Sequence, residues 1–188
     1  MKYASLFFIL LISNYAYPAG FAAGTLVRTQ TGHVPIEQIK AGDEIAGSNE
    51  NSLLDFIVTR YPAKEQTNAL VKITIDDESF FVASDQKLFS LQKMSWVDAA
   101  KIEPGEFVGS ISHSFTVDDI EIEEAPTGCC WAVNTLYLHG PGIFFVSMHD
   151  IGVYNCPDTF WRSMGNGALK TVKVVVKCAW WLATNMSR

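Results

Sequence analysis

The residues of this 188-residue chain best able to do chemistry are four cysteines and four histidines, and their spacing narrows what that chemistry is. Cys129, Cys130, Cys156 and Cys178 contain no Cys-x-x-Cys pair, and His33, His113, His139 and His149 show no zinc-site spacing with them, so neither a metal centre nor a cofactor is expected. Thiols can instead pair with one another in an oxidising compartment. Cys129 and Cys130 are neighbours, and on a strand their side chains would point to opposite faces, which predicts two separate partners rather than one bond between them. Spacing leaves the pairing of the four open. Carboxylates gather in "SNENSLLD" and "TVDDIEIEEAP", which read as solvated loops or edges rather than catalytic pairs.

The N-terminus bears on the compartment. Met1 and Lys2 make a short positive start, and the apolar run "YASLFFILLIS" is too short to span a bilayer comfortably before the small and polar "NYAYPAG". Residues 1–19 are therefore expected to be a secretory signal peptide, cut after Ala16 or Ala19, and the protein is expected to be exported. With 48% hydrophobic and 18% charged residues the chain is long enough for one good core and short for two domains. A net charge of -6 gives no electrostatic reason to expect nucleic acid as a partner.

The elements that must position any site are short strands. "TLVRTQ", "FIVTRY", "LVKITI", "SFFVAS", "FVGSIS" and "IFFVSM" are rich in β-branched and aromatic residues, and turn signals such as "QTGH", "KAGDE", "EPGE", "APTG" and "HGPG" separate them. Only "PIEQIK" and "WVDAAK" predict a turn or two of helix, with Pro35 suited to a helix start. The tail, residues 157–188, carries "KTVKVVVKC", which alternates as a strand with Val172, Val174, Val176 and Cys178 on one face and Lys173, Val175 and Lys177 on the other. Its three lysines exclude an ordinary membrane span. Packing of the tail on the domain is preferred to interfacial membrane contact through "AWWLA".

Three blocks in a fixed order carry a family resemblance. "GFAAGTLVRTQTGHVPIEQIKAGDEIAG" resembles the first block of the Hint (hedgehog/intein) superfamily, where Cys-Phe-x-x-Gly-Thr leads through a strand to Pro-Ile-Glu-x-Ile and Gly-Asp. "VASDQKLFSLQKMSWVDAAKIEPGEFVG" is similar to the second, with its Thr-x-x-His strand, and "TLYLHGPGIFFVSMHDIGVYNC" to the last, which ends in His-Asn before Cys, Ser or Thr. The resemblance covers residues 20–156 and implies an all-β, horseshoe-like fold of short strands with pseudo-two-fold symmetry. It also implies a chemistry of self-processing. In that chemistry a first Cys or Ser attacks the preceding carbonyl, the second-block His protonates the departing nitrogen, and the last Asn cyclises and releases the segment C-terminal to it.

This chain departs from that set. The nucleophile position is Gly20, so an acyl shift has nothing to start it, and hedgehog-like transfer has no acyl intermediate. The Thr-x-x-His positions fall on Ala83 and Gln86, whose amide cannot take up and pass on a proton at neutral pH as an imidazole does, yet can donate a hydrogen bond to a carbonyl. The penultimate His is Tyr154, while Asn155 and Cys156 remain. The preferred expectation is a catalytically silent scaffold for structure or binding. The alternative is C-terminal cleavage by cyclisation of Asn155, with His149 or Tyr154 supplying the proton, although a tyrosine pKa near 10 suits that task poorly. His149 reads first as a surface residue beside Asp150. A third reading is an unrelated small β-rich binding protein.

Overall fold

The structure, a computed structural model, describes residues 20–48, 54–111, 114–139 and 142–155. The expected signal peptide, Cys156, Cys178 and the tail lie outside the described residues.

Among the described residues fourteen strands follow one another with two single 3₁₀ turns between them: β1 (Leu26–Thr29), β2 (Gly32–Pro35), β3 (Glu44–Ser48), β4 (Asp55–Thr67), β5 (Ala69–Ile75), β6 (Glu78–Ala83) and β7 (Lys87–Ser90), then β8 (Ser95–Asp98), β9 (Phe107–Gly109), β10 (Ser114–Thr116), β11 (Asp119–Glu124), β12 (Trp131–Leu138), β13 (Gly142–Val146) and β14 (Ile151–Asn155). The 3₁₀ turns, Ile36–Gln38 and Ala99–Lys101, stand where helical turns are expected, the first preceded by Pro35. The alternation that predicts strands also predicts their buried faces. In β5, Val71, Ile73 and Ile75 are buried while Lys72 and Thr74 face the other way.

The larger sheet runs β10-β9-β7-β14-β13-β1-β3-β4-β12, with β2 paired to β1 and β8 to β7, and the smaller runs β11-β5-β6. Phe21 joins them. It bridges to Asn134 on β12 and to Val82 on β6, is 1% exposed, and meets the Phe144 ring edge-on at 5.8 Å. One strand is longer than expected: "FIVTRY" continues through Pro62 to Thr67. Pro62 faces Leu136 of β12, while β3 ends its pairing with β4 at Val58, so the missing N–H falls where β4 has no second neighbour to bond.

The halves of the larger sheet repeat one motif. A hairpin (β1–β2, then β7–β8) leads into a 3₁₀ turn, a left-handed glycine (Gly42, φ 94; Gly105, φ 85) and a strand (β3, then β9). Hydrogen bonds repeat as well. Asp43 Oδ2 accepts from Lys40 N at 2.8 Å as Glu106 Oε2 accepts from Glu103 N at 3.1 Å. Gly42 N donates to Thr59 O at 2.8 Å as Gly105 N donates to Val117 O at 2.7 Å. This is the pseudo-two-fold symmetry that the resemblance implies. Cys129 and Cys130 precede β12 after an exposed turn and do not lie on a strand, so the opposite-face argument does not apply to them; among the described residues both are free thiols, and Cys130 Sγ donates to Asn68 Oδ1 at 3.5 Å.

Candidate functional site at the meeting of the chain ends

Residues 83–86 make the tight turn between β6 and β7, closed by Gln86 N donating to Ala83 O at 3.0 Å. Two remote stretches converge on it. Ala83 N donates to the Gly20 carbonyl at 2.7 Å, and the Gln86 side chain donates through Nε2 to the Tyr154 carbonyl at 3.3 Å and to the Lys87 carbonyl at 3.2 Å. Sequence reasoning brings Gly20, Ala83, Gln86 and Tyr154 together through a family pattern, and the fold gathers them around one turn.

Each position has a definite environment. Gly20 is followed by Phe21, whose N–H donates to Asn134 O at 2.9 Å and whose carbonyl accepts from Asn134 N at 2.7 Å, so β12 lies hard against the glycine. A Cβ added at Gly20 would stand 2.6 Å from Val133 Cγ2, 2.9 Å from the Asn134 carbonyl oxygen and 2.9 Å from Thr135 Oγ1. Ala83 is buried and offers no hydroxyl. Gln86 is 2% exposed and its amide is committed to two carbonyls. The Tyr154 ring lies 5.3 Å from that of Trp96, beside buried Ala46, Ile143 and Phe145, so it serves as packing. Asn155 ends β14 opposite Gly142.

His149 lies elsewhere. It sits in the turn between β13 and β14, where Val146 pairs with Ile151, whereas Asn155 is at the open end of the same hairpin. The four steps from Ile151 to Asn155 alone span about 13 Å at the usual rise of a strand, so the fold does not bring His149 to Asn155. Nor is His149 the surface residue expected. Its ring packs on Phe115 at 4.6 Å, Nε2 lies 3.2 Å from the Ile75 carbonyl, and Glu78 and Asp76 stand 3.6 and 3.9 Å away. The same turn holds Asp150, whose buried carboxylate takes Arg28 from β1 and His33 from β2 as partners, the latter at 2.9 Å. Nothing in the sequence marks this trio, because Asp150 is more than a hundred residues from both Arg28 and His33.

Charge near the junction gathers beside Gln86. Desolvation, aided by the Asp98 carboxylate, outweighs a hydrogen bond from its own backbone and the pull of Lys87, so the Asp85 carboxyl titrates above its ordinary range. At Asp98 burial also acts upward, but hydrogen bonds from Lys101 and Lys87 more than offset it and the carboxyl titrates low. Asp85 is a residue the sequence reading does not single out, since its shift comes from surroundings the fold creates.

The architecture matches solved structures of one kind. The chain is similar to a bacterial intein-like domain from Clostridium thermocellum at 25% identity and a TM-score of 0.66, over 74% of this chain and 100% of that one. It is also similar to the TvoVMA intein at 18% identity and a TM-score of 0.60, covering 73% of this chain and 98% of that one. A DnaB intein from Synechocystis matches at 13% identity and a TM-score of 0.60, covering 73% and 99%. No family model matches the sequence, and neither does any curated protein. The chain has the all-β Hint (hedgehog/intein) fold of these intein and intein-like structures. The reading as an unrelated β-rich protein is thereby set aside.

Proposed function

We propose that this protein is an exported Hint-fold domain that has kept the shape of the self-processing domains without their chemistry, and that it serves as a folded scaffold for structure or binding. The observation that carries this reading is the crowding at Gly20. A nucleophile there needs a Cβ, and that atom would stand within 2.9 Å of the Asn134 carbonyl and closer still to Val133 Cγ2. Backbone and a branched side chain fill the space that chemistry would need. Gln86 supports the same reading: where the resemblance calls for a proton-carrying imidazole, a buried amide ties β7 to the end of β14.

A second reading is C-terminal cleavage by cyclisation of Asn155. What favours it is the hydrogen bond from Gln86 to the Tyr154 carbonyl, which reaches the peptide just ahead of Asn155. Cyclisation needs no group at Gly20, because the attacking amide belongs to Asn155 itself. The test is the intact mass of the secreted protein under reducing conditions beside an Asn155→Ala variant. The scaffold reading expects one uncut mass in both, short of the full chain by the signal peptide alone. Loss of a fragment beginning at Cys156 from wild type and not from the variant would establish cleavage.

A further inference from the structure

β11 is an outer strand of the smaller sheet, and among the described residues it pairs with β5 alone. Its side chains alternate in kind. Asp119, Glu121 and Glu123 share the outer face, where Lys72 of β5 is the cation near them, at 3.3 Å from Glu121. Ile120 and Ile122 share the other face. Ile120 packs against the core, but Ile122 is 50% exposed. An edge with free backbone groups, an apolar residue in water and surplus negative charge is half of a strand pair. At the C-terminal end of β11 the Trp131 indole donates to the Glu123 carbonyl at 3.2 Å, while the Glu123 side chain stays exposed.

The chain carries a complementary alternating sequence outside the described residues. In "KTVKVVVK", Lys173 and Lys177 alternate with Val172, Val174 and Val176. Neighbouring strands place opposite residues on the same face, so one register sets Lys173 and Lys177 beside Asp119 and Glu123, Val175 beside Glu121, and Val174 and Val176 beside Ile120 and Ile122. A register shifted by one would put lysine over isoleucine, so the pattern selects its own pairing. Reach is no obstacle. The fifteen residues from Asn155 to Lys170 can extend about 50 Å, several times the radius of gyration of a domain this size, about 14 Å.

We propose that residues 170–178 add as a fourth strand to the free edge of β11, with lysines over its carboxylates and valines extending its apolar face. The tail then belongs to the body of the domain and closes an edge that would otherwise invite pairing with other chains.

The test is amide hydrogen exchange of the full secreted chain read by mass spectrometry, with sedimentation equilibrium alongside. Residues 172–177 are expected to exchange at least about tenfold more slowly than an unstructured peptide of the same sequence. The paired substitution Asp119→Lys with Glu123→Lys removes that protection, Lys173→Glu with Lys177→Glu does the same, and combining all four restores it. Unchanged protection in β5 and β6 certifies that the variants fold. Free exchange of residues 172–177 in wild type overturns the proposal, as does protection indifferent to the charge changes. Protection that falls on dilution of a dimer assigns the edge to a second copy and also overturns it. So does protection that appears only with vesicles of anionic phospholipid, which would assign the tail to a membrane.

Discussion

A glycine where a family resemblance calls for cysteine reads, in sequence, as a missing side chain. In the fold it is a missing volume. The Asn134 carbonyl, Thr135 Oγ1 and Val133 Cγ2 stand where the first side-chain atom would go, so restoring the cysteine is not enough to restore chemistry. Gly20→Ala and Gly20→Cys are each expected to lower stability by about 1–3 kcal/mol, the usual penalty of overpacking a close-fitted site. Urea unfolding measures that loss, and incubation of Gly20→Cys with dithiothreitol should yield no cleavage product. The identity of Gly20 was legible in the sequence, and its crowding was not, because the neighbours that cause it come from β12, more than a hundred residues away. Gln86 obeys the same rule: its capacity to donate could be read from its type, but its acceptor, the Tyr154 carbonyl, only from the fold.

At the scale of elements, the repeated turn that launches β3 and β9 has one stabilising device in two versions. Asp43 in the first half and Glu106 in the second each cap the turn by accepting a backbone N–H three residues earlier. Glu106 is the more buried, and Lys93 bonds the same oxygen at 2.9 Å. Burial pushes the Glu106 carboxyl upward, but bonds from Ser90, Lys93 and the Glu103 amide outweigh it, so its folded pKa is lowered. A lowered carboxyl pKa stabilises the fold above the unfolded value, near 4.3, and that contribution is lost as pH falls through the folded one. Glu106→Gln should therefore cost about 1–2 kcal/mol at pH 7, and the gap from wild type should close toward pH 3 in urea titrations at the two pH values. Most of these elements were legible. Both 3₁₀ turns fell on "PIEQIK" and "WVDAAK", and the acidic stretch read as a loop or edge is the edge strand β11. The extension of β4 past Pro62 was not, since a proline demotes a strand until the neighbour that tolerates it is known.

For the whole molecule, Phe21 is the joint. It is buried, hydrogen-bonded to β12 through its backbone, bridged to β6, and set edge-on to Phe144 of the larger sheet. Phe21→Ala is expected to cost about 3–5 kcal/mol, the range for deleting a buried aromatic side chain. Because both sheets meet there, the loss should appear as one earlier transition by fluorescence and by circular dichroism rather than as two separated steps. Two transitions would mean that the sheets unfold independently.

By itself the sequence determined the class of structure and the inventory of groups: alternating β-branched and aromatic runs make strands, glycines make the left-handed turns, and Gly20, Ala83 and Gln86 lack the side chains that the resemblance calls for. Those properties are local, set by a residue and its near neighbours. Only the tertiary structure decided what meets what. It set β12 against Gly20, drew Gly20 and Tyr154 to the turn at residues 83–86, held His149 at the far end of its hairpin from Asn155, and paired Asp150 with Arg28 and His33. Such contacts depend on the order in which strands are laid into a sheet, and that order comes from burying all the apolar faces at once.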